Sequence, residues 1–119
     1  MDIIEKIWGH EEVIVNDFEH GYCGKLLHLK RGYECSYHCH KKKDETFYIL
    51  KGTVQMKIEG IVRKLKAPFT IHIPVNTYHC FRGITNAVII EFSMPDSPED
   101  SYRKNKSHKV KSWIKKIKK

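Results

Sequence analysis

Residues 53–66 read TVQMKIEGIVRKLK. Val54, Met56 and Ile58 alternate with Gln55, Lys57 and Glu59, so an extended chain here has one apolar face and one polar face. Gly60 then interrupts the run before a second one begins, which is the pattern of a β-hairpin. Short runs of the same kind recur in both directions. The sequence predicts strands near 12–15, 23–30, 34–39, 45–51, 53–59, 61–66, 69–73, 78–82 and 86–93, punctuated by Gly32, Gly52, Gly60, Pro68, Pro74-Val75-Asn76 and Gly83. Strands this short, with no helical pattern between them, indicate an all-β sandwich or barrel rather than βαβ units.

The pattern changes after Phe92. SMPDSPED at 93–100 is rich in Pro, Asp and Ser and reads as a loop leaving the barrel. Beyond it, Val110, Trp113, Ile114 and Ile117 fall on one stripe of a short helix with lysines around the rest. The expected organisation is therefore a barrel with an N-terminal arm over 1–95, then an exit loop and a basic amphipathic C-terminal helix over 96–119. A chain of 119 residues has room for one such domain.

Charge is unevenly placed. Of 22 basic residues, nine lie in 103–119 with no acid among them, which leaves 13 basic residues against all 14 acids in 1–102. The body is nearly neutral, so the pI near 9.3 belongs to the tail and gives no ground for a specific nucleic-acid surface. The four apolar residues of the tail make a short stripe for membrane anchoring, and docking on the barrel or on a partner subunit is the expected role. The N-terminus, MDIIEKIWGHEE, lacks the apolar core of a signal peptide, so a cytoplasmic location is expected. Cys23, Cys35, Cys39 and Cys80 form no CxxC and are read as reduced thiols filling barrel positions.

Histidine carries the chemical signal. His38 and His40 lie two apart, so a strand projects both to one face. Lys41-Lys42-Lys43-Asp44 is polar enough to return the chain, placing Glu45 at the start of the next strand beside them. His79, following Pro74-Val75-Asn76, can add a third nitrogen from a distant strand. Imidazoles and a carboxylate converging in this way suit one divalent metal ion, with Zn, Mn, Fe and Ni all open. A lone histidine is more commonly a surface or satisfied core residue, and His10, His20, His28, His72 and His108 take that reading.

At these residues the sequence resembles the cupins. Gly32, His38, His40, Glu45 and Gly52 match the family's first motif throughout, with four residues between His40 and Glu45. Pro74 and His79 match its second motif in part. Asn76 stands where Gly is frequent, Pro68 replaces the leading Gly and Gly83 replaces the closing Asn. The resemblance spans about 22–93. It implies a double-stranded β-helix, a jelly-roll barrel holding a metal on His38, His40, Glu45 and His79. Further short pieces are similar to the small cupins that resemble type II mannose-6-phosphate isomerases: Lys6-Ile7-Trp8-Gly9-His10-Glu11, Cys23-Gly24-Lys25-Leu26-Leu27, Lys43-Asp44-Glu45-Thr46 and Glu91-Phe92-Ser93. Pro95, Glu99-Asp100 and Arg103 in the exit segment extend that likeness.

That likeness implies aldose–ketose isomerisation of a small anionic sugar through an enediolate. Glu45 and Glu91 are the candidate bases, and Lys25, Lys43, Arg82 and Arg103 the candidate contacts to substrate. A metal-dependent dioxygenase-type cupin and a non-catalytic binder of a sugar or metabolite remain as alternatives. Homodimers are expected, because small jelly rolls expose sheet edges and apolar outer faces. Ile3, Ile4, Ile7 and Trp8 are apolar enough to join such an interface.

Overall fold

The computed structural model describes residues 2–110. In chain order its strands are β1 (Asp2–Lys6), β2 (Gly9–Asp17), β3 (Tyr22–Leu29), β4 (Tyr33–Glu34), β5 (His38–Cys39), β6 (Glu45–Lys51) and β7 (Thr53–Ile58). They continue with β8 (Ile61–Lys66), β9 (Phe69–Ile73), β10 (His79–Gly83), β11 (Ala87–Ser93), β12 (Tyr102–Arg103) and β13 (His108–Lys109), with a 3-10 turn at Pro98–Asp100. The strands form two antiparallel sheets packed as a jelly roll. One sheet has the order β1-β2-β3-β11-β6-β9; the other runs β12-β5-β10-β4-β13, with β7 joined to β10 and β8 to β7. The expected all-β fold is observed. The expected C-terminal helix lies outside the described residues except for Val110, which is buried and donates its amide to Gly32 O at 2.7 Å.

Alternation builds the core. Leu27 and Leu29 on β3, Phe47 and Ile49 on β6, Val54 and Met56 on β7, and Ile89 on β11 all turn inward and are buried. Each such side chain contributes roughly 1.5–3 kcal/mol by leaving water. The hairpin at Gly60 closes as expected, with Ile58 paired to Ile61 and positive φ of 47° at Glu59 and 79° at Gly60. Gly52 also has a positive φ, 83°, and a Cβ there would sit 2.4 Å from Asn86 O, so a side chain cannot be accommodated. Asn76 adopts φ 60°, the left-handed conformation its place in the second motif demands.

Three features depart from the expected strands. β1 pairs along β2 from Asp2↔Val13 to Lys6↔Gly9, yet its exposed residues show no alternation that would announce an edge strand. The predicted strand 34–39 is split into β4 and β5. Against β10, Glu34 pairs with Arg82 while His38 pairs with His79, so four steps on one strand oppose three on the other. The extra residue is a β-bulge, and it reverses the facing: Glu34 points outward to Arg82, whereas His38 points inward. Finally, the exit segment returns to the barrel, where β12 pairs with β5 and β13 with β4. It supplies the backbone partners that the split strand lacks: Tyr37 N–H donates to Asn105 Oδ1 at 2.6 Å and Ser36 N–H to Ser107 Oγ at 3.2 Å.

Candidate metal centre

The bulge, the turn after Asn76 and the start of β6 converge on one cavity of about 360 Å3, a size that suits a small metabolite. His38 and His40 line it and the fully buried His79 adjoins them, with one ring nitrogen from each of the three within 4.8 Å of the others. Each ring is held from behind by a backbone carbonyl. His38 Nδ1 donates to Ser36 O at 2.7 Å, His40 Nδ1 to Asp100 O at 2.8 Å and His79 Nδ1 to Thr77 O at 2.9 Å. Bonds of this kind make Nδ1 the donor and turn the Nε2 edge of each ring toward the others. Burial, and then the neighbouring His79, hold the His38 imidazole down at about 3, so it is neutral.

Glu45 opens β6 beside them, as the sequence reading expected. Its Oε1 lies 3.1 Å from His40 Nε2 and its Oε2 lies 3.4 Å from His79 Nε2. Glu45 Oε2 and His79 Nε2 are nonetheless buried with no hydrogen-bond partner, since that 3.4 Å approach lacks hydrogen-bond geometry. Orphaned lone pairs facing one another in a dry site repel, and a cation between them removes the cost. The donor set therefore fits a borderline divalent metal, with three nitrogens and a carboxylate oxygen available. Burial opposes charge on Glu45, but His40, His79 and Lys43 outweigh it and hold the carboxyl well below its ordinary value.

A second layer of charge adjoins this cluster. Glu91 faces inward with Ile89, paired in register with Lys25 on β3 and Phe47 on β6. Lys43 Nζ lies 3.0 Å from Glu45 Oε1, 3.3 Å from Glu91 Oε2 and 2.9 Å from Asp96 Oδ1. Lys25 Nζ lies 3.0 Å from Glu11 Oε1 and 2.7 Å from Asp96 Oδ2. Both lysines are 5% exposed or less and stay charged because these carboxylates surround them. Their charge is thus already matched inside the protein. Arg103 and Lys6 also line the cavity, and neither is ion-paired with a carboxylate among the described residues. Arg82 lies elsewhere, on the outer face, with Nε 2.8 Å from Glu34 Oε2. Burial, and secondarily Glu45, raise the Glu91 carboxyl above its ordinary value, against the pull of Lys43, Lys25 and Ser93.

Two aspartates of the exit segment complete the site. Asp96 bridges Lys25 and Lys43, and those lysines overcome burial to hold its carboxyl down at about 2. Asp100 accepts from the amides of Lys41, Lys42 and Lys43 at 3.0–3.2 Å while its own carbonyl anchors His40. The sequence signal for Asp100 is faint: an acid in a Pro-rich exit, far from a lysine loop whose amides need an acceptor. The cysteines are all free and buried, as expected. Among the described residues no helix is long and apolar enough to cross a membrane.

Comparison with known proteins adds a family and a set of folds. The cupin domain family matches residues 25–92. KdgF from a Halomonas species is similar in structure, with a TM-score of 0.74 at 17% identity over 83% of this chain and 90% of that one. PAC13 from Streptomyces, solved with uridine, gives a TM-score of 0.76 at 14% identity over 88% of this chain and 84% of that one. An RmlC-like cupin from Shewanella frigidimarina gives 0.71 at 18% identity, covering 82% and 86% of the two chains. At these identities the likeness is one of fold. No curated protein matches the sequence.

Proposed function

The chain belongs to the cupin domain family, and from that premise we propose that it is a metal-dependent isomerase interconverting the aldose and ketose forms of a small anionic sugar. Glu91 carries this reading. It is a buried carboxylate beside the histidine cluster, tied to Glu45 through Lys43 at 3.3 and 3.0 Å, and its raised proton affinity suits a general base. The sequence pieces similar to mannose-6-phosphate isomerase-like cupins, including Glu91-Phe92-Ser93 itself, support the same substrate class.

His38, His40, His79 and Glu45 would hold the metal. When bound, a divalent ion there supplies Lewis-acid polarisation of a substrate carbonyl. Glu91 takes the proton from the hydroxyl-bearing carbon next to that carbonyl and delivers it to the former carbonyl carbon, while the hydroxyl proton passes from one oxygen to the other, so no oxidant or reductant is consumed. Lys43 holds the Glu91 carboxylate in place, and Ser93 Oγ donates to the same oxygen at 2.7 Å. With Lys25 and Lys43 matched by carboxylates, Arg103 and Lys6 are the cations that meet an anionic group on the substrate.

The test is to load the purified protein with Mn2+ or Zn2+ and offer mannose 6-phosphate and fructose 6-phosphate first, in deuterated water. Interconversion with deuterium appearing next to the carbonyl supports the reading. Absence of turnover across a panel of sugar phosphates overturns it. Oxygen uptake by the iron-loaded protein would then point to a dioxygenase-type cupin, and saturable sugar binding without reaction to a binder.

A further inference from the structure

The back of the six-stranded sheet, away from the cavity, carries a second cluster of metal-binding groups. β2 and β3 set His10 directly opposite His28. Their rings stack with centroids 4.3 Å apart and planes 13° apart. Glu12 lies two residues beyond His10, hence on the same face, and brings Oε1 to 2.6 Å from His28 Nε2. One ligating atom from each of the three residues lies within 4.8 Å of the other two. Glu11, between them, turns to the opposite face and pairs with Lys25, so the two clusters occupy different sides of one strand.

We propose that His10, Glu12 and His28 form a second, exchangeable site for a borderline divalent cation of the Zn2+ type. Two imidazoles and a carboxylate are a donor set for such an ion. With bonds of about 2.0–2.1 Å, donors sharing one tetrahedral ion lie about 3.4 Å apart, so a cluster whose atoms lie within 4.8 Å must close by at most about 1.4 Å. Side chains that are half-buried, as these are, can rotate that far. A plain ion pair accounts for Glu12 and His28 but leaves His10, whose ring nitrogens have no hydrogen-bond partner among the described residues. Glu5 on β1 stands opposite His10 in register and is exposed, so it can supply a fourth oxygen. At the cavity every histidine is braced by a carbonyl; here His10 has no such brace, so the second site is weaker and exchanges faster.

The proposal is independent of the reading of the cavity, and zinc titration separates them. Full-length protein without an added histidine tag is stripped with a chelator and titrated with Zn2+ by calorimetry. Two classes of binding are expected, one tight and one weaker. The double variant His10→Asn, His28→Asn should lose the weaker class alone, and Glu12→Gln should weaken it at least about tenfold. His40→Ala should lose the tight class and keep the weaker one. A wild type with no weaker class, or a double variant that retains it, overturns the proposal. Because strand substitutions can disturb folding, histidine ring resonances of the wild type give a second readout. Shifts at His10 and His28 on the second zinc equivalent support the site, whereas shifts confined to His20, His72 or His108 overturn it.

Discussion

Glu91 and Asp96 both touch Lys43, yet their environments drive them in opposite directions, and that difference separates chemistry from structure. Glu91 is raised, first by burial and then by Glu45, so the base activity proposed for it is lost as pH falls through a value above the ordinary 4.5. Glu91→Gln should therefore lower kcat about 100-fold or more and abolish that acid limb, with metal content unchanged by elemental analysis. Asp96, held at about 2 against an ordinary 3.8, acts on stability instead. The folded protein binds this proton less readily than the unfolded chain. Its contribution is therefore complete above pH 3.8 and disappears as pH falls towards about 2. Asp96→Asn should flatten denaturant-measured stability over that window. At this scale the sequence shows the metal-binding pattern, because His38, His40 and Glu45 are close in the chain and obey strand parity. It does not show that Lys25 and Lys43 are matched by Asp96, since that acid arrives from 71 and 53 residues away. Nor does it show His10 beside His28, which depends on the register of β2 against β3.

Strands were legible wherever alternation was clean, as in β3, β6, β7 and β11, and illegible where function bends the rule. The bulge in 34–39 cannot be read from residue types, because it arises from the register of β4 and β5 against β10, a distant strand. The exit segment was equally obscure: β12 and β13 are two residues each, too short for any period. Together they act as a strap over the bulge, and Asp100 is its clasp. Asp100→Ala removes a charged acceptor from three successive amides and should cost about 2 kcal/mol in thermal or urea unfolding. Truncation after Ser101 removes β12, β13 and the bonds from Asn105 and Ser107, so it too should lower the melting temperature. It spares the Asp100 carbonyl behind His40 and should leave metal stoichiometry intact.

For the molecule as a whole, the arrangement of apolar surface bears on assembly. Trp8, expected to help cover a partner, is instead edge-on to Phe81 at 5.0 Å within the core. Ile3, Ile4 and Ile7 are exposed, as are Phe18, Ile61 and Val62 elsewhere, and a further apolar group lies on the back of the six-stranded sheet, where Phe92 is 56% exposed and Leu50 41%, with Leu26, Tyr48 and Ile90 half-buried nearby. These residues share a face because they alternate with the inward Phe47, Ile49, Ile89 and Glu91. The body beneath carries almost no net charge, so repulsion does not keep two such faces apart. A homodimer formed through this face satisfies both the sheet and the two-fold symmetry such contacts favour. Light scattering of the full-length chain at micromolar concentration should give twice the monomer mass. Phe92→Glu should raise the dimer dissociation constant at least about tenfold while the circular dichroism stays that of the native barrel. A monomer in the wild type, or a dimer indifferent to Phe92, would place the interface elsewhere and leave this face to another partner.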